Sequence, residues 1–403
     1  MEGNISNQSK AKNLVWLWIS LGALAVIVII AGMCWRFFIF KESSKTVFPI
    51  KNVSHNQSVT IPQKVLTNKF GWLGGGAGDD GAIISDSGGA WVRPHPGAFV
   101  WDMMQKEGKG IDFSLTDQEI KNYQKNNLGI LVTIWPFADW DQQKLANATM
   151  CAVSDEDEFL PSNDKKDRGS YLPKYRCNPK DWNAYAKWVT ALVERYDGDG
   201  KDDMPGLIMP IKYWEVMNEP DLNYQSNLPA SESNRLNFYK QGPSEYATLL
   251  VNTYKAIKAA DPESKVLIAG AAGGDTRMLN FYRAVFKNTE ARTAFDIGNV
   301  HCISNDRQTH DFNVAVYKKM LAEFNIEKPI WVTEAEAFYP ENKTAEQNYE
   351  STKTAVANAI AAGAERIFFT RYTFDDFRTD MSQKDEPGSY PSSEKYREII
   401  ENY

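Results

Sequence analysis

Eight short apolar runs, alternating with stretches of helical periodicity, constrain this chain more than any other feature of its sequence. The runs fall at 69–73, 90–93, 130–135, 211–217, 265–269, 296–301, 329–334 and 366–371. Amphipathic stretches lie between most of them, at 179–196, 243–260 and 344–362, and a last one at 392–401 closes the count. Short apolar strands alternating with helices are the pattern of βα units and a parallel sheet. Eight such units predict an α/β chain folded as a (β/α)8 TIM barrel over residues 67–403. An open doubly wound sheet is the rival class, and the glycine-rich stretch 71–78 superficially suits one. That stretch lacks the Lys-Ser/Thr ending of a phosphate loop and reads instead as a tight turn leaving a strand.

Ahead of the barrel, residues 14–35 carry no charged side chain over 22 positions, ending at Arg36. As a helix this run would span roughly 33 Å, enough for a bilayer core of about 30 Å. A cleaved signal peptide has a shorter apolar region. The expectation is a short tail (1–13), a single transmembrane helix (14–40), a polar linker (41–66) and the barrel (67–403). Lys10 and Lys12 precede the span while Arg36, Lys41 and Lys45 follow it. That balance sets no orientation, and the barrel is expected outside the cytoplasm. The lipid bilayer is thus one expected partner. Cys151 and Cys177 bracket one polar loop, either as a disulfide suited to an oxidising compartment or as two free thiols.

A formal net charge of −7 argues against nucleic acid as a partner. The four histidines, His55, His95, His301 and His310, show no metal-ligand spacing, so neither metal nor cofactor is expected. An acidic run at 155–158 lacks the alternation and glycine of a calcium loop. The chemistry lies where apolar strands end in carboxylates. Tyr213-Trp214-Glu215-Val216-Met217-Asn218-Glu219-Pro220-Asp221 runs from a strand into a proline, which cannot continue a hydrogen-bonded ladder. Lys328-Pro329-Ile330-Trp331-Val332-Thr333-Glu334 is a second strand with a terminal carboxylate. Active sites of such barrels sit at this C-terminal lip of the strands.

In these two segments the chain resembles the clan A glycoside hydrolases, whose fourth strand ends in Asn-Glu and whose seventh ends in Thr-Glu. The run Glu194-Arg195-Tyr196-Asp197-Gly198-Asp199-Gly200 looks like bacterial members of that clan. The resemblance covers roughly 68–403 and is nearest to the β-xylosidase, iduronidase and cellulase-like branches. It implies a retaining glycosidase with a carbohydrate substrate, Glu219 as acid/base and Glu334 as nucleophile. It further implies that Asn218 bonds the sugar 2-hydroxyl, that Arg93 bonds the nucleophile, and that His301 lies near it. Trp135 is either a sugar platform or a barrel plug. Where many clan members end the eighth strand with Trp, this chain reads Thr370-Arg371-Tyr372-Thr373-Phe374, so Tyr372 or Phe374 would floor the subsite. Glu336 shares a strand face with Glu334 and is the rival nucleophile. A tethered carbohydrate-binding protein and a transglycosidase are the competing functional readings.

Overall fold

A computed structural model describes residues 58–75, 78, 80–161, 170–226, 236–303, 310–337, 344–372, 374 and 391–403. All of them fall in one unit, Asn56–Tyr403. Among the described residues the eight strands are β1 (Phe70–Gly74), β2 (Trp91–Pro94), β3 (Gly129–Ile134), β4 (Tyr213–Val216), β5 (Lys265–Ile268), β6 (Gly298–Cys302), β7 (Ile330–Ala335) and β8 (Ala364–Phe369). Each coincides with an expected run to within a few residues. They pair in parallel in the order β5-β4-β3-β2-β1-β8-β7-β6. Parallel bridges Leu267↔Ile297 and Ala271↔Val300 join the two ends of that order, closing the barrel. The strands are short and continuously apolar because a barrel strand is buried on both faces; β1, β2, β3, β6 and β7 are buried at every position.

The helices follow their own sequence signals. Asp181 caps Trp182–Glu194 by accepting from the Asn183 and Ala184 amides. Pro243 opens Pro243–Ala260 at the position where a missing N–H costs nothing. Thr344 and Gln347 form a capping box on Ala345–Ala362, which ends at Gly363 in the left-handed region. These helices cover the outside of the barrel with one continuous apolar cluster.

The lower end of the barrel is plugged by Trp91, Leu131, Leu267, Trp331 and Phe368, with Val65 packed against them. Arg366 lies over Trp91 at 4.1 Å and Trp331 at 4.7 Å, a cation–π stack shielded from water. Gly71 permits this packing, since a Cβ there would stand 2.6 Å from the Trp91 carbonyl oxygen. The last part of the expected 41–66 linker belongs to the same plug. Val59 N–H donates to the Gly198 carbonyl at 3.0 Å, a short helix runs over Gln63–Thr67, and Trp91 Nε1 donates to the Val65 carbonyl at 2.8 Å. The polar composition of that segment hid one apolar side chain with a core position. The expected span at 14–40 lies outside the described residues. Among the described residues no helix is long and apolar enough to cross a membrane.

On the upper face, the polar insertion after β3 is fastened at two points. Cys151 and Cys177 form a disulfide across 26 positions. Beside it, Arg176 makes a fork of two bonds to Asp157 at 2.7 and 2.9 Å, both side chains fully buried. The acidic run at 155–158 therefore serves an ion pair. Replacing both cysteines by Ala should destabilise the barrel by about 3 kcal/mol, the chain-entropy worth of a loop this long. Denaturant unfolding of the wild type with and without reductant checks the figure; an unchanged midpoint would show that the Asp157–Arg176 pair alone holds the loop.

Candidate active site

The upper lip of the barrel gathers its polar side chains around Arg93, at the end of β2. The guanidinium is fully buried. Its Nε donates to Glu215 Oε2 at 2.6 Å, one terminal nitrogen to Glu334 Oε1 at 2.8 Å, and the other to Asn218 Oδ1 at 2.6 Å. Glu215 points inward from β4 and is itself held by Thr133 Oγ1 at 2.6 Å and Asn299 Nδ2 at 2.7 Å. A lone buried carboxylate is costly, and a planar cation bridging two of them offsets that cost with directed bonds. The two carboxylates in turn raise the Arg93 pKa above its ordinary value although burial opposes it.

Glu219 reaches the same space by a break in the backbone. After β4 the chain turns through Met217 at φ 73° and Glu219 at φ 40°, both left-handed, and Pro220 follows. Non-glycine residues hold such angles only where the surroundings enforce them, and strain of this kind gathers at functional sites. The anchor here is Asp221, buried and accepting from the Ala272 amide at 3.0 Å, while Arg277 caps the Asp221 and Leu222 carbonyls from beneath. Burial pushes the Asp221 carboxyl well above its usual range, with Glu219 adding to the effect.

His301, from β6, stands between the two outer carboxylates. The ladder between β6 and β7 slips by one position at Val300/His301, which sets His301 opposite Glu334. Its Nδ1 lies 2.8 Å from Glu219 Oε1 and 3.6 Å from Glu334 Oε1, and its Nε2 lies 2.8 Å from Thr333 Oγ1. Gly270 makes room for the ring, since a Cβ there would come within 2.0 Å of Nε2. A Glu219 oxygen, a His301 nitrogen and a Glu334 oxygen all lie within 4.8 Å of one another. Glu219 is 5% and Glu334 4% exposed. Burial raises the Glu219 pKa to about 7, with Arg93 holding it down and Glu215 pushing it up. Burial also raises Glu334, which His301 and Arg93 oppose. Burial lowers His301.

Of the residues expected from sequence, the structure brings Arg93, Asn218, Glu219, His301 and Glu334 into one network. Trp135 and Tyr372 stand outside it. Trp135 is 0% exposed, donates its Nε1 to the Pro96 carbonyl at 2.7 Å and packs against Phe238, so it fills the alternative role of plug. Tyr372 donates to Asp80 Oδ2 at 2.7 Å and stacks on Trp72, tying β8 to the loop after β1. Phe374 is buried against Tyr396. Glu336 is engaged by β8 and the residue after it, accepting from Thr370 and meeting Arg371 at 3.1 Å. Glu215, Thr133, Asn299, Thr333 and Asp221 were given no role by sequence reasoning. A charged residue inside an apolar strand was the one available signal, and it pointed to Glu215.

Two clusters of the described residues offer three metal-type donors each: the Glu219–His301–Glu334 group, and Asp197, Asp199 and Asp203. In the first, Arg93 already supplies the cation. In the second, Asp203 caps the Gly198 and Gly200 amides and Asp197 the Asp199 amide, which gives those carboxylates a loop-holding task.

Residues 207–403, which carry Asn218, Glu219, His301 and Glu334, match the family model of the glycosyl hydrolase catalytic core. No curated protein matches the sequence. Among solved structures, a glucosidase from Croceicoccus marinus superposes with TM-score 0.57 at 13% identity, covering 86% of this chain and 69% of its own. Xylanase 10B from Thermotoga petrophila RKU-1, in complex with xylobiose, gives 0.51 at 12% identity, covering 86% of this chain and 98% of its own. A family 39 glycoside hydrolase from the gut symbiont Bacteroides cellulosilyticus WH2 gives 0.51 at 12%, and this chain spans 57% of its length. At such identities these likenesses show the barrel fold. The barrel is the fold expected from the sequence, and the match to a glycosyl hydrolase catalytic core over residues 207–403 supports the expected glycosidase.

Replacing Arg93 by Gln should destabilise the protein by about 3–5 kcal/mol at pH 7, the usual cost of leaving buried charges unpaired. The deficit should shrink as pH falls, because Glu334, already raised, would protonate at higher pH in the variant and shed its charge. Denaturant unfolding of both proteins between pH 5 and 8 tests this; a pH-independent deficit would mean that Arg93 contributes packing alone.

Proposed function

We propose that this chain is a retaining glycosidase that cleaves O-glycosidic bonds of an oligo- or polysaccharide by double displacement. The observation that carries the reading is the approach of a Glu219 and a Glu334 carboxyl oxygen to within 4.8 Å, with the buried Arg93 guanidinium donating to Glu334 rather than to Glu219. Retaining glycosidases hold their carboxyls about 5–5.5 Å apart, whereas inverting ones leave about 6.5–9.5 Å for a water. Glu219, with a pKa of about 7, is in large part protonated below neutrality and donates to the leaving oxygen. Glu334, held by Arg93, attacks the anomeric carbon as that bond breaks. Glu219, now a carboxylate, takes a proton from water, and the water oxygen releases the sugar from Glu334. Asn218 gives its Oδ1 to Arg93, which leaves its Nδ2 as donor to the sugar 2-hydroxyl.

The expected membrane location belongs to the same proposal. Residues 14–40 tether the barrel to the bilayer, with the catalytic domain outside the cytoplasm. The Cys151–Cys177 disulfide supports this, since such bonds persist in oxidising compartments.

On a panel of aryl glycosides, Glu334→Ala should abolish turnover, about a 10⁴-fold loss or more. Glu219→Ala should slow poor leaving groups far more than good ones, because only poor ones need a proton. Equal slowing of both would remove Glu219 as the acid. For the wild type, kcat/KM should fall as pH rises through about 7, where Glu219 loses its proton. A profile flat to pH 9 would contradict that role.

A further inference from the structure

The acid/base proton is held by more than Glu219. A chain of hydrogen bonds runs from Glu215 through Asn299 and Thr333 to His301 and ends on Glu219, and its first link gives it a direction. Asn299 faces the Glu215 carboxyl at 2.7 Å, so its NH2 end points there and its Oδ1 points to Thr333 at 2.9 Å. The Thr333 hydroxyl has one proton, and it is spent on Asn299 Oδ1. Its oxygen can therefore only accept from the His301 Nε2 that lies 2.8 Å away. With Nε2 carrying the ring proton of a neutral imidazole, Nδ1 is bare, and it faces Glu219 Oε1 at 2.8 Å. That contact is a hydrogen bond only when Glu219 supplies the proton.

We propose that Thr333 and Asn299 are positioning residues that lock His301 in its Nε2–H tautomer, making Nδ1 the acceptor that keeps Glu219 protonated in the free enzyme. The inference rests on the glycosidase reading above. The groups facing Glu219 are consistent with it. His301 comes from β6, Glu334 from β7, Arg93 from β2, and Glu215 and Asp221 from the β4 segment. Arg93 already serves as the cation for Glu215 and Glu334, and burial disfavours a second one on His301. In the first step the proton passes from Glu219 Oε1 to the leaving oxygen, which keeps the electron pair of the broken C–O bond while Glu334 forms its own bond to carbon. Between the steps the Glu219 carboxylate faces the bare Nδ1, lone pair against lone pair. That repulsion raises its basicity for the proton it must next take from water.

The test uses the full chain labelled with 15N-histidine, alongside T333V and T333S. In the wild type at pH 6, nitrogen shifts should show His301 protonated at Nε2 and bare at Nδ1. In T333V the Nε2–H loses its acceptor, the ring turns to the Nδ1–H tautomer, and Nδ1–H then favours the Glu219 carboxylate. The basic limb of kcat/KM should move down by about one pH unit, the shift expected for one hydrogen bond gained by the charged form. T333S keeps the hydroxyl and should keep the wild-type limb. A protonated Nδ1 in the wild type, or an unmoved limb in a folded T333V, overturns the proposal. The tautomer is read without substrate, so absence of turnover in every protein would count against the glycosidase reading while the nitrogen shifts still decide the relay.

Discussion

The structure depends on one guanidinium in a place where a barrel normally keeps hydrocarbon. Arg93 enters the upper layer of the barrel from β2 with no exposed surface and binds Glu215, Glu334 and Asn218 at once. Without it, β4 and β7 would each carry a carboxylate into a medium that does not tolerate an isolated anion. With it, Glu215 and Glu334 share a cation, Asn218 is oriented, and Glu219 remains the carboxyl with no guanidinium contact. The difference between the two outer glutamates follows from that asymmetry. Both are lifted by burial, but only Glu334 has a charged partner in direct contact. Paired carboxyls in different surroundings are how one site comes to hold an acid and an anion together.

Around this centre, the barrel supplies rigidity and the loops supply exact placement. The lower plug of Trp91, Trp331 and Phe368 with Arg366 above them is built for packing, and it fixes the strands whose opposite ends bear the polar network. The β4 lip is held against its own backbone preference by Asp221 and Arg277. The slip in the β6–β7 ladder and the missing side chain at Gly270 admit the His301 ring. Each is a local departure from regular structure, and all lie within reach of Glu219 or Glu334.

The fold was legible in the sequence because each barrel strand is buried on both faces and reads as an uninterrupted apolar run. Asn218, Glu219 and Glu334 were legible because they end such runs, and Arg93 and His301 because they end theirs. Thr133, Thr333 and Asn299 were not, since a small polar residue on a strand looks alike whether it faces a helix, solvent or a buried carboxyl. Which face it takes is settled only by register. Trp135 stayed open between two roles for a related reason: a tryptophan at a strand end serves a sugar or a core equally well, and here it bonds to Pro96 and packs against Phe238. The boundary of the linker was missed because a single buried side chain, Val65, ties an otherwise polar segment to the barrel.

The central claim is that the close approach of Glu219 and Glu334 makes this a double-displacement enzyme. It is tested most directly by following, by proton NMR, the anomeric configuration of the sugar first released from whichever aryl glycoside the protein turns over fastest. The account predicts a product that appears in the configuration of the substrate and only then mutarotates. A product that first appears inverted would mean that water, not Glu334, attacks the anomeric carbon, and would contradict the account.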